Sequence, residues 1–141
     1  MNRCIFVILA YFLFAGCSVK GNPTVESSNA AWDMTGAEPE YLTQWPENAF
    51  TEKITQPQNG TVDYVLDYTD SGRYAIFIQD ISSEESDQYV KELKDNGYAE
   101  IHSDANDVSV GTMLENEDAY LSISYSDGIL GILITLKESI N

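Results

Sequence analysis

The chain has 141 residues, 43% of them hydrophobic, with 23 acidic residues against 7 basic ones and a formal net charge of −16. That length fits one domain with accessory segments, and the acidic excess leaves no basic stripe to neutralise phosphates, which argues against nucleic acid and against direct binding to an anionic bilayer surface. A single histidine and two cysteines exclude a zinc centre built from a His/Cys cluster.

Residues 1–16 read MNRCIFVILAYFLFAG, a short basic start followed by an apolar run of about a dozen residues. A spanning helix needs about 20, so the run reads as a secretory signal with a small-residue end. Leu13-Phe14-Ala15-Gly16-Cys17 resembles the lipobox of bacterial lipoproteins, with Phe14 standing where an aliphatic residue is usual. The resemblance implies cleavage before Cys17 and a diacylglyceryl or acyl lipid on its thiol, the one covalent group expected on the chain. The cut discards Cys4, so no intrachain disulfide remains possible, and the core alone must hold the fold. It also discards Arg3 and none of the acids.

Residues 17–40 are rich in Ser, Asn, Gly, Pro and acids and have no sustained period. They read as a flexible tether with a reach of roughly 25–30 Å, and Trp32 is its one odd residue. The domain is expected over 41–141. It opens with an extended strap, EYLTQWPENAFTEKITQPQNGTV, whose Pro46 and Pro57 break any long helix. TVDYVLDY then alternates Val62, Tyr64, Leu66 and Tyr68 against Asp63, Val65 and Asp67, which predicts a strand with one wetter face. TDSG reads as a hairpin turn into the return strand RYAIFIQ.

The period changes in SSEESDQYVKELKDNG. Ser82 and Glu85 form a capping box, acids load the first turns, Tyr89, Val90 and Leu93 make the buried stripe, and Gly97 ends the helix. Short strands follow at YAEIHS and VSVGTMLE, the second with a bulge expected at Gly111. AYLSISYS alternates cleanly, with Leu121, Ile123 and Tyr125 inward and Tyr120, Ser122 and Ser124 outward. Asp127-Gly128 is a hairpin signal, and ILGILITLKE is apolar on both faces and so reads as a central strand. The expected fold is a two-layer α+β domain: a mainly antiparallel sheet of five to six strands with one helix, in the order ββαββββ.

No catalytic set emerges from the residues. His102 is flanked by Ser103 and Asp104, but neighbours on a strand point to opposite faces, so they do not form a triad. Asp104 and Asp107 in one turn, and Glu115 and Glu117 in another, are weak calcium candidates, because oxygen-rich turns suit hard cations but no EF-hand pattern is present. The candidate binding surface is aromatic. Tyr64, Tyr68 and Tyr120 fall on predicted strands, and Tyr120 stands beside small serines that leave its ring exposed.

QWPENAFTEKITQP, GTV and YVKELKDNGYAE together resemble a family of uncharacterised lipoproteins of Gram-positive bacteria, built from a lipobox, a low-complexity tether and a small domain with a Trp-Pro-x-Asn-x-Phe strap. Trp45, Pro46, Asn48, Phe50 and Pro57 carry the strap; Tyr89, Leu93, Gly97 and Tyr98 carry the helix and its exit. The resemblance implies surface location and assigns no enzyme activity. The expectation is a non-enzymatic binding module, lipid-anchored through Cys17 on the extracytoplasmic face of a cell membrane, with an envelope protein, peptide or glycan as partner. A small cell-wall hydrolase using acidic residues, or a structural envelope component, are the alternatives.

Overall fold

Alternating apolar residues and tight turns organise the chain around one sheet. The computed structural model describes residues 35–106 and 108–138; the expected signal segment and the tether up to residue 34, with Cys17 and Trp32, lie outside the described residues, as does Asp107. The elements are β1 (Glu40–Tyr41), β2 (Thr61–Tyr68), β3 (Arg73–Gln79), α1 (Ser83–Asp95), β4 (Ala99–Ala105), β5 (Ser109–Glu115), β6 (Ala119–Ser126) and β7 (Ile129–Leu136). All seven strands pair antiparallel in the order β1-β2-β3-β7-β6-β5-β4. No helix of the described residues is long and apolar enough to cross a membrane.

This overturns the expected fold class of a five- to six-stranded α+β domain. The sheet has seven strands, the fold is mostly β, and α1 is its one α-helix among the described residues. The unforeseen strand is β1, in which Glu40 pairs with Val65 and Tyr41 with Tyr64. Two residues carry no period, so neither alternation nor propensity marks them in the sequence.

The centre of the sheet follows from composition. β7 is flanked by β3 and β6 and buries Leu130, Ile132 and Ile134 on one face and Leu133 on the other, as a strand apolar on both faces must. α1 covers one face. Its Ser82 Oγ accepts from the Glu85 N–H at 3.1 Å while the Glu85 carboxylate accepts from the Ser82 N–H at 2.9 Å, closing the capping box. Tyr89, Val90 and Leu93 point into the core. At the exit, Gly97 takes a φ of 106°, and the Tyr98 and Gly97 N–H groups donate to the Leu93 and Lys94 carbonyls at 3.1 Å each, the paired bonds of a Schellman ending.

The strap packs on the same face as α1. Asn48 Oδ1 accepts from the Phe50 and Thr51 N–H groups at 2.9 and 3.0 Å, turning the chain into a short 3-10 segment over Thr51–Lys53. Phe50 is thereby directed onto Tyr74, with ring centroids 5.5 Å apart. From the helix side, Tyr89 and Tyr98 donate to the Thr55 and Lys53 carbonyls at 2.7 Å each. The Trp-Pro-x-Asn-x-Phe stretch is therefore part of the core closure: Trp45 packs against the main cluster and Phe50 belongs to it. Between strap and β2, Gly60 sits at a φ of 80° with Ile78 Cγ2 and the Gln79 carbonyl oxygen 2.6 and 2.9 Å from where a Cβ would stand, so only glycine fits without displacement.

Two local expectations fail, both on where the register is irregular. The pairing of β2 with β3 shifts between Val62 and Tyr64. The extra residue puts Val62 and Val65 together in the core under α1, while Tyr64 and Leu66 join a smaller cluster on the other side. Val65, placed by simple alternation on the wetter face, is fully buried. A second shift lies between Glu100 and His102 in β4, whereas Gly111 pairs regularly with Asp104 and Ser124 and makes no bulge. Shifts of this kind come from the partner strand and leave no mark in the local pattern.

Candidate functional site

Residues paired directly across antiparallel strands share a face, so register alone lays out the side of the sheet opposite α1. One row runs Tyr64, Phe77, Gly131, Ser124, Gly111 and Asp104. The next runs Leu66, Ala75, Leu133, Ser122, Met113 and His102, and a third runs Tyr68, Arg73, Thr135, Tyr120, Glu115 and Ala99. Leu66, Ala75 and Leu133 form a small buried cluster with Ala37, Tyr64, Tyr68 and Phe77 packed around it.

The middle of the first row is built of small residues. Gly131 and Ser124 floor a trough of about 250 Å³ walled by Phe77 and Ile129 and edged by Ser109 and Ser126. Ile129 is 42% exposed. Large side chains at one end and small ones in the centre make the face concave where a flat sheet of equal side chains would be level.

Aromatic rings gather at the β1–β2–β3 end. Tyr64 stacks on Phe77 with centroids 4.5 Å apart and planes 17° from parallel, and Tyr41 leans on Tyr64 at 5.8 Å and 53°. Tyr41 is 73% exposed. Burial raises the Tyr64 phenol above its ordinary pKa, and the nearby Asp63 charge raises it further. Elsewhere on the face, Arg73 sits over the Tyr68 ring with its guanidinium carbon 5.2 Å from the centroid, and Lys137 Nζ sits 4.4 Å from that of Tyr120. Both are cation–π distances.

The three tyrosines of the candidate surface thus lie on one face but not in one cluster. Leu66 separates Tyr64 from Tyr68, and Tyr120 stands three strand spacings from Tyr68, about 14 Å. Sequence reasoning missed Tyr41, Phe77 and Ile129. Phe77 was legible: in RYAIFIQ it alternates with Tyr74, Ile76 and Ile78, which face the helix. Tyr74 and Tyr125, also on strands, are buried in the main core.

The acidic candidates are distributed otherwise. Glu115 accepts from Lys137 at 2.9 Å, and Asp118 lies 3.7 Å from Lys53. Asn106 Oδ1 accepts from the Val108 and Ser109 N–H groups, and Asn116 Oδ1 from those of Asp118 and Ala119, so the amides in both turns serve the backbone. Among the described residues no three His, Cys, Asp or Glu side chains gather as a metal-ligand group. Among the described residues, Asp67 and Asp87 are carboxyls held below their ordinary pKa. The Thr69 hydroxyl lowers Asp67, and the Lys91 ammonium lowers Asp87. A general acid needs the opposite direction. His102 is exposed on the edge strand β4.

Lys53, Lys91, Lys94 and Lys137 each pair with a carboxylate, namely Asp118, Asp87, Glu100 and Glu115. Asp63 and Asp104 have no cation within ion-pair reach among the described residues. Comparison of the chain with family models, with curated proteins and with solved structures finds no match.

Proposed function

We propose that the chain is a non-enzymatic binding module of the bacterial cell envelope, held on the extracytoplasmic face of the membrane by lipid on Cys17. The helix-free face of its sheet is the contact surface. The observation that carries the binding reading is the inequality of the two faces. One is closed by α1 and the strap, while the other presents Tyr41, Tyr64, Tyr120 and Ile129 around a small-residue trough. Exposed rings beside a concavity are common interface anchors. The anchoring reading rests on the lipobox-like LFAGC and the low-complexity stretch after it. Two acyl chains anchor stably, since each buried methylene contributes about 0.8 kcal/mol.

Intact mass of the protein recovered from its native membrane tests the anchor. A chain beginning at Cys17 and carrying diacyl or triacyl mass is expected, and Cys17→Ala should move the protein from the membrane to the soluble fraction. An unmodified chain cut elsewhere, or a Cys17→Ala protein that stays membrane-bound, would sink the anchoring reading.

A further inference from the structure

Resting on that reading of the open face, we infer that its occupant is an extended basic peptide segment of an envelope partner. One lysine or arginine seats in the corner between Tyr41 and Tyr64, and a second sits about seven residues along, at Asp104. Three observations converge on this. The first is the corner itself. The Tyr41 ring leans on Tyr64 with centroids 5.8 Å apart and planes inclined at 53°, and Tyr41 is 73% exposed, so its ring offers a π face to an incoming cation. The charge of Asp63 reaches the Tyr64 phenol, so a cation on the Tyr41 ring meets a ring quadrupole with a carboxylate close by. The second is precedent on the same face, where Arg73 and Lys137 already sit over the Tyr68 and Tyr120 rings.

The third is the course of the first row. From Tyr64 on β2 to Asp104 on β4 it crosses five strand spacings, about 24 Å. Its middle, at Gly131, Ser124 and Gly111, carries side chains small enough for another backbone to lie close. An extended segment rises about 3.3 Å per residue, so seven residues cover the distance. Both ends of the row are acidic, through Asp63 and Asp104, and the chain as a whole carries −16. A neutral glycan uses the rings and leaves that charge unanswered; an acidic or anionic partner is repelled by it.

The test uses the full chain in detergent micelles and two labelled, end-capped eight-residue peptides with small residues between their ends, one with arginine at both ends and one with glutamate. The arginine peptide is expected to bind and to weaken with added salt; the glutamate peptide is not. Tyr41→Ala should weaken binding about three- to fivefold, the size of an exposed cation–π contact. Asp63→Asn and Asp104→Asn should each weaken it about twofold or more. Glu84→Gln on α1 makes the same charge change on the covered face and should leave affinity unchanged. Circular dichroism confirms that the exposed-site variants remain folded.

Equal binding of the glutamate peptide, or equal weakening by Glu84→Gln, would overturn the inference. So would chitotetraose binding that is lost in Tyr41→Ala while the arginine peptide fails to bind; in that case the open face would stand as a contact surface and only its basic partner would fall.

Discussion

Phe50→Ala should lower the free energy of unfolding by about 3–5 kcal/mol, the usual cost of deleting a buried aromatic ring. Phe50 is almost fully buried and stacked on Tyr74. Its backbone is held by Asn48 on one side and by the 3-10 segment on the other. The strap beyond is pinned through the Thr55 and Lys53 carbonyls by Tyr89 and Tyr98. With the backbone fixed at so many points the site cannot collapse, and the cavity term adds to the transfer term. Urea unfolding reads the effect as a lowered midpoint at unchanged slope. Phe50→Leu should recover most of it. A loss below about 1 kcal/mol for the alanine variant would mean that the strap is a surface loop and that the core is closed by α1 alone.

The second large effect is alkaline. Tyr74, Tyr89, Tyr98 and Tyr125 all have phenols raised above their ordinary value, in each case with burial as the leading cause, and Tyr125, close to the Asp87 carboxylate, is pushed up to about 12. A raised folded-state pKa means that the fold favours the neutral phenol. The stability this contributes is complete below the unfolded tyrosine value of about 10 and is lost as pH rises through the folded-state values. Tyrosinate absorbance and far-ultraviolet circular dichroism should therefore report one cooperative transition above pH 10, with late ionisation and loss of sheet signal coinciding. Tyr89→Phe removes one buried ionising group and should make the fall of stability with rising pH shallower. At neutral pH it should cost about 1–3 kcal/mol, because the Thr55 carbonyl loses its donor. Ionisation of every tyrosine near pH 10 with the sheet signal intact would contradict this packing.

What could be read from the sequence depended on how local each signal is. The α1 helix announces itself because cap, stripe and stop all lie within sixteen residues, Ser82 to Gly97. The central place of β7 is legible because ILGILITL has no polar face to spare. β1 is not legible, since two residues have no period and exist as a strand only through β2. The shift at Val62–Tyr64 is equally silent and reverses the face assigned to Val65. The open face shows the same division. Tyr120 was marked by its serine neighbours, and it lies there 41% exposed. The Tyr41–Tyr64–Phe77 cluster needed three strands brought together by tertiary pairing. Strand alternation finds which residues share a face and says nothing of which strands are neighbours.

Site-specific photo-cross-linking in the native membrane tests the open face most directly. Photoreactive residues would replace Tyr41 and Ser124 on that face and, in parallel, Glu84 and Gln88 on the outer side of α1. The same adduct mass from Tyr41 and Ser124, competed away by the arginine-ended peptide and absent at Glu84 and Gln88, is the predicted result. Adducts at Glu84 and Gln88 with none at Tyr41 and Ser124 would contradict the assignment of the helix-free face as the contact surface.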